Sequence, residues 1–171
     1  MAIIVTTRMG DELLGCYSFL AGGPKLYGRI IHTNFDNTLV DGARRLVTDY
    51  NIRAMYMTEL RDTPAGNVGV ILKKKLGILL KGLPGYNIFL PVGYEDRWSQ
   101  LVYRTCLEIV RANYTNTTVW GYNTEHCLKG TIHADVDMES KIEAVEWYYP
   151  RLKHKLEKLA PLTKENFVKV V

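Results

Sequence analysis

Ile3-Ile4-Val5-Thr6-Thr7-Arg8-Met9-Gly10-Asp11-Glu12-Leu13-Leu14-Gly15-Cys16 passes from an apolar, β-branched run through a polar turn into helical spacing. Ile3 to Thr7 reads as a buried strand, the pattern of a sheet covered on both faces. Glu12 to Ala21 reads as a helix with Leu13, Leu14, Tyr17 and Leu20 on one face, and Gly22-Gly23-Pro24 stops it.

The same alternation continues outward. Gly28 to Thr33 predicts a second strand, Leu39 to Tyr50 a helix, Arg53 to Thr58 a third strand and Val68 to about Leu80 an apolar helix. Tyr86 to Pro91 predicts a fourth strand, Trp98 to Asn113 a long amphipathic helix and Thr117 to Tyr122 a fifth strand. From about Asp137 the spacing of Ile142, Val145, Tyr149, Leu152, Leu156 and Leu159 predicts a helical segment that Pro150 breaks or kinks. Repeated strand-helix-strand order implies a mostly parallel sheet of five or more strands with helices on both faces, a Rossmann-like three-layer α/β fold. No linker or internal repeat interrupts it, so residues 1–171 are expected to form a single domain.

The 171 residues are 47% hydrophobic and 23% charged, the balance of a globular protein. The net charge of +4 is spread along the chain, and Lys73-Lys74-Lys75 reads as a solvated helix face. Nucleic acid is therefore not expected as a partner, whereas a small anionic ligand is. Cys16, Cys106 and Cys127 are far apart without a CxxC pair. With no leading signal segment and no apolar run of membrane-spanning length, they imply reduced thiols, a cytoplasmic location and no membrane partner. The sequons at Asn113 and Asn116 carry no weight in that setting. A homo-oligomer stays open.

Ligands of open parallel sheets bind beyond the carboxyl ends of the strands. Here those ends are polar: Thr6-Thr7-Arg8, Thr33-Asn34, Thr58-Glu59, Gly93-Tyr94-Glu95-Asp96 and Tyr122-Asn123. The first segment also resembles the signature of the LmbE/PIG-L family of zinc-dependent de-N-acetylases, a strand followed by Ala-His-Pro-Asp-Asp-Glu and a helix opening with Ala-Leu-Gly-Cys. Asp11, Glu12, Leu14, Gly15 and Cys16 match in register. Later stretches match in family order. Ile30-Ile31-His32-Thr33-Asn34 stands at the second strand, and Arg44 to Ile52 with Tyr56 to Asp62 at the following helix, strand and loop. Pro91 to Ser99 stands at the His-Pro-Asp-His motif, while Ala134 to Asp137 and Lys141 to Ala144 stand at the C-terminal motifs. The resemblance implies a deacetylase-like fold over nearly the whole chain.

It also implies an altered site. The family's first zinc-binding His becomes Arg8, its general-base Asp becomes Gly10, and its metal-binding Asp is kept as Asp11. Asp96 aligns with the first His of the second motif and Ser99 with the metal-binding one. Catalytic zinc needs three protein ligands and an open position. One carboxylate, a serine hydroxyl and a repelling guanidinium do not supply them, so no cofactor is expected. Arg8 is expected to pair with Asp11 in place of the metal.

The histidines are His32, His126, His133 and His154. A rebuilt site would draw on Asp11 with His126 and Glu95, so any metal is expected at Asp11 with His126. The aromatic residues Tyr94, Trp98, Trp120, Tyr122, Trp147 and Tyr148 fit either the core or a ring-stacking wall. The residues expected to line a ligand are Arg8, Gly10, Asp11, Glu12, Asn34, Tyr94, Asp96, Arg97, Ser99 and Asn123. Three functions follow: a non-catalytic or strongly diverged protein binding a nucleotide, nucleotide-sugar or other anionic small ligand; an active amidohydrolase of amino-sugar conjugates with a rearranged site; or a structural or assembly protein.

Overall fold

The computed structural model describes residues 2–22, 28–60, 63–80, 87–94, 96–113, 117–124, 132–157 and 164–170. In order they form β1 (Ala2–Thr6), α1 (Asp11–Ala21), β2 (Arg29–His32), α2 (Val40–Asp49), β3 (Arg53–Tyr56), α3 (Val68–Leu80), β4 (Asn87–Pro91), α4 (Arg97–Asn113), β5 (Thr118–Tyr122), β6 (Ile132–Asp135), α5 (Met138–Tyr148), α6 (Lys153–Glu157) and β7 (Lys164–Lys169).

These strands make one 7-stranded sheet in the order β3-β2-β1-β4-β5-β7-β6. From β3 to β5 every neighbouring pair is parallel. At the far edge β7 runs antiparallel to both β5 and β6. Successive strand residues face opposite sides, which splits the core. Ile4, Ile30 and Phe89 pack with α1, α2 and α5, whereas Ile3, Val5, Ile31, Ile88 and Leu90 pack with α3 and α4. Each fully buried aliphatic side chain contributes roughly 1.5–3 kcal/mol. The fold is the expected Rossmann-like three-layer α/β arrangement.

The C-terminal segment differs from its expected helical course. Pro150 ends α5, with Tyr149 at φ −135° and ψ 63°, because the residue before proline avoids helical backbone. After α6 the chain returns as β7. Asn166 and Val168 are half-buried there while Glu165 and Phe167 are fully buried, a two-residue period too short to stand out beside the helical spacing before it. β6, also missed, is only four residues long and mostly exposed.

That last strand repairs α1. The helix is interrupted at Cys16 (φ −135°, ψ 23°), which frees backbone groups on either side. The Glu165 carboxylate on β7 accepts from Tyr17 N at 2.9 Å, Ser18 N at 2.9 Å and Ser18 Oγ at 2.6 Å. Lys141 Nζ on α5 donates to Leu14 O at 2.7 Å and to Glu165 at 2.7 Å. Both charged side chains are buried, and together they satisfy Leu14 O, Tyr17 N and Ser18 N at the break. Gly42 sets the α2–α5 crossing, since a Cβ there would lie 1.8 Å from Tyr148 O.

Candidate functional site

The chain leaves β1 toward β2 on one side and returns to β4 on the other, so the β1–β4 boundary is the switch point of the sheet, where open α/β folds bind ligands. The loop after β1 and the turn into α4 meet there. Asp96 caps α4 by accepting from Ser99 N at 2.8 Å, as a helix N-terminus favours. Ser99 Oγ lies 2.8 Å from Asp96 Oδ2 and 3.0 Å from Thr7 Oγ1, and Thr7 Oγ1 donates to Asp11 at 3.3 Å. Arg8, Asp11, Asp96 and Ser99 are thus brought to one place from two segments 88 positions apart.

The expected Arg8–Asp11 ion pair is corrected. Asp11 is reached by the backbone N–H of Arg8 at 2.9 Å, while the guanidinium pairs with Asp96 at 3.2 Å and lies 5.8 Å over the Tyr94 ring. Burial decides this: the Asp11 carboxylate sits beneath the loop, whereas the Arg8 side chain stays 47% exposed. Tyr94 is fixed by its hydroxyl, 2.8 Å from Thr124 Oγ1 and accepting from Thr124 N at 3.0 Å.

Electrostatics separate the carboxylates. Burial, reinforced by the Glu12 charge, pushes Asp11 up to about 7. Burial likewise pushes Glu12 up to about 7, against its hydrogen bonds. Glu12 accepts from Gly10 N at 3.0 Å and from the Tyr149 hydroxyl. By contrast Asp96 is held below the ordinary carboxylate range: its partial burial is outweighed by the Ser99 hydrogen bonds and the Arg8 charge. Lys155 of α6 adds a second positive charge within electrostatic reach of Asp11.

The remaining expected residues spread outward. Gly10 adopts φ +97° beneath Leu152, and Arg97 is exposed at the start of α4. Asn123 is buried and its amide donates to Val92 O at 2.8 Å, so it shapes the β4 exit. Asn34 is exposed at the rim of a cavity of about 260 Å³ lined by Thr33, Asn34, Phe35, Met57, Leu60 and Trp98. A second cavity of about 180 Å³ adjoins Ser99 and Tyr94 on the other side of the α4 start.

His32 is packed between Thr6, whose hydroxyl is 2.8 Å from Nδ1, and Tyr56, stacked at 5.2 Å. Burial pushes it down to about 3, the behaviour of a neutral core histidine. His133 on β6 and His154 on α6 are exposed. His126 and Glu95, the residues of a rebuilt metal site, lie outside the described residues. Among the described residues no three His, Cys, Asp or Glu side chains converge to hold a metal. The donor set around Asp11, a guanidinium, a serine and a carboxyl that keeps its proton up to about 7, does not fit zinc.

Thr7 and Tyr149 were not singled out for the site from sequence. Thr7 is signalled only by being the polar residue just past β1. Tyr149 reads as one more core position, and its contact with Glu12 depends on where Pro150 turns the chain. Phe35 is an isolated aromatic in a loop and gave no signal.

No protein-family model matches the sequence, and no curated protein matches it significantly. The fold is similar to the crystal structure of GalB, the 4-carboxy-2-hydroxymuconate hydratase from Pseudomonas putida KT2440. The TM-score is 0.73 over 99% of this chain and 95% of that chain, at 8% sequence identity. At that identity the likeness is one of fold alone.

Proposed function

We propose that this chain is a strongly diverged LmbE/PIG-L-like protein that binds a nucleotide, nucleotide-sugar or other anionic small molecule in the β1–β4 crevice, without the family's zinc. The observation that carries this reading is the half-exposed Arg8 guanidinium at the switch point, braced by Asp96 and Tyr94. A planar guanidinium held by one carboxylate still presents free N–H donors, the geometry that phosphate and carboxylate groups take up. Lys155 lies within electrostatic reach of the same place. Cys16 and Cys106 are buried free thiols, which suits the cytoplasmic location that belongs to this reading. Among the described residues no helix is long and apolar enough to cross a membrane.

Calorimetric titration with UMP, AMP, UDP-N-acetylglucosamine and glucosamine 6-phosphate tests it. At least one is expected to bind and to raise the melting temperature, since a ligand at 100 times its Kd stabilises the native state by about 2.7 kcal/mol. Arg8→Gln is expected to weaken that ligand roughly 10- to 100-fold, the worth of a charge-assisted contact. Unchanged affinity in the folded variant, or no binding by any of the four at millimolar concentration, would overturn the reading.

A second reading, an amidohydrolase of amino-sugar conjugates with a rearranged site, is favoured by Asp11 and Glu12. Both titrate near neutrality, where proton transfer is most effective. Turnover of an N-acetylated amino-sugar conjugate that is lost in Asp11→Asn would establish it.

A further inference from the structure

The cavity lined by Thr33, Asn34, Phe35, Met57, Leu60 and Trp98 has a composition that selects its occupant. Met57 and Leu60 are buried in its wall, and Phe35 and Trp98 are half-buried in it. Phe35 is held edge-on against Tyr56, with ring centroids 5.7 Å apart. At about 260 Å³ the space is near the small end of ligand pockets and holds one ring system.

Its polar groups are few. The Thr33 hydroxyl is already committed to Thr6 O at 2.8 Å. The Asn34 amide stands exposed at the rim, with one donor group and one acceptor. Trp98 Nε1 is enclosed, so the half-buried Trp98 offers the cavity its ring rather than its N–H. A sugar ring would leave most of its hydroxyls unanswered against these walls, and a saturated acyl chain would make no use of the Asn34 amide. A planar heteroaromatic ring, with apolar faces and hydrogen-bonding edges, satisfies both.

The position relative to Arg8 follows from the chain. Thr33 N donates to Thr6 O at 3.1 Å, which places the cavity one strand spacing from the end of β1. Trp98 lies between Asp96, the Arg8 partner, and Ser99, which touches Thr7. We infer that the Phe35/Trp98 cavity is the base-binding subsite of a nucleoside phosphate whose phosphate meets Arg8. The phosphate half rests on the function proposed above; the ring half stands on the cavity.

The test is calorimetric titration of the full chain with adenosine, uridine, AMP, UMP and ribose 5-phosphate. A nucleotide is expected to bind more tightly than ribose 5-phosphate, and its addition to quench tryptophan emission in the native chain but not in Trp98→Phe. Trp98→Ala is expected to weaken the nucleotide roughly 5- to 150-fold, the range for losing one base–aromatic stack, and to leave ribose 5-phosphate unchanged. Arg8→Gln is expected to weaken nucleotide and ribose 5-phosphate alike. Should Trp98→Ala not fold, Trp98→Phe and Asn34→Ala carry the test, each expected to weaken the nucleotide selectively. Equal affinity for nucleotides and ribose 5-phosphate, or equal losses for both in these variants, overturns the ring subsite while the anion reading stands. Nucleosides that bind through Trp98 with no gain from the phosphate support the subsite and overturn the anion reading. No binding by any of the five compounds overturns the subsite.

Discussion

Ser99 Oγ lies 3.0 Å from Thr7 Oγ1, a contact across 92 positions of sequence that ties the first turn of α4 to the loop after β1. It completes a row of oxygens, Asp11–Thr7–Ser99–Asp96, with links of 3.3, 3.0 and 2.8 Å. Two hydroxyls supply two protons. With Asp11 ionised, Thr7 donates to Asp11, and Ser99 has one proton for two acceptors. A proton on Asp11 reverses the first link and gives every contact a donor, the same direction in which burial pushes this carboxyl.

The pH dependence of stability follows. Asp11 titrates near 4 when unfolded and at about 7 when folded. Between those values the native state holds a proton that the unfolded state has lost, so this group's contribution falls as pH rises from about 4 to 7 and is flat above. Urea unfolding of wild type and Asp11→Asn at pH 5 and pH 7.5 isolates it. Wild type is expected to lose a few kcal/mol relative to the variant over that interval. Parallel curves would show that Asp11 keeps an ordinary carboxylate pKa. His32, pushed down to about 3, has the opposite sign, losing stability as pH falls below about 6.5, and it cancels in the comparison.

Position 10 constrains any attempt to build a metal site into this loop. Gly10 sits at φ +97°, and a Cβ there would lie 2.2 Å from Leu152 Cδ1. Gly10→Ala is expected to cost about 1–3 kcal/mol in backbone strain beyond the collision, and a double-mutant cycle with Leu152→Ala to recover only the collision part as coupling, all measured by urea unfolding. Installing the family's aspartate at this position meets the same obstacle. Arg8→His with Ser99→His, keeping Gly10, is the variant expected to fold and take up zinc at Asp11. A folded double variant that binds no zinc by metal analysis would count against the family alignment.

The Lys141–Glu165 pair carries the repair of α1. Lys141→Met leaves a buried carboxylate without its cation and is expected to cost about 3–5 kcal/mol. Glu165→Gln in the same chain is expected to recover part of that loss, because it removes the uncompensated charge. A loss below about 1 kcal/mol for Lys141→Met in chemical denaturation would mean that the helix break is held by its other contacts.

Much of the fold was legible from residue order. The strand-helix alternation from Ile3 to Tyr122 forms because the inner strands are short apolar runs covered on both faces and the helices between them bury apolar side chains against the sheet. These are local properties, and they specify a parallel sheet and its polar carboxyl edge. β6 and β7 were not legible, since an edge ladder of short, half-exposed strands is held by its partners rather than by its own pattern.

The site divides along the same line. Sequence alone determined that Arg8, Asp11, Asp96 and Ser99 belong to one edge of the sheet, because the order of the strands carries their loops there. Only the tertiary structure decided their pairing. Burial depth, which no local pattern reveals, sends the Arg8 guanidinium to Asp96, raises the Asp11 carboxyl to about 7 and sets Phe35 and Trp98 around one cavity.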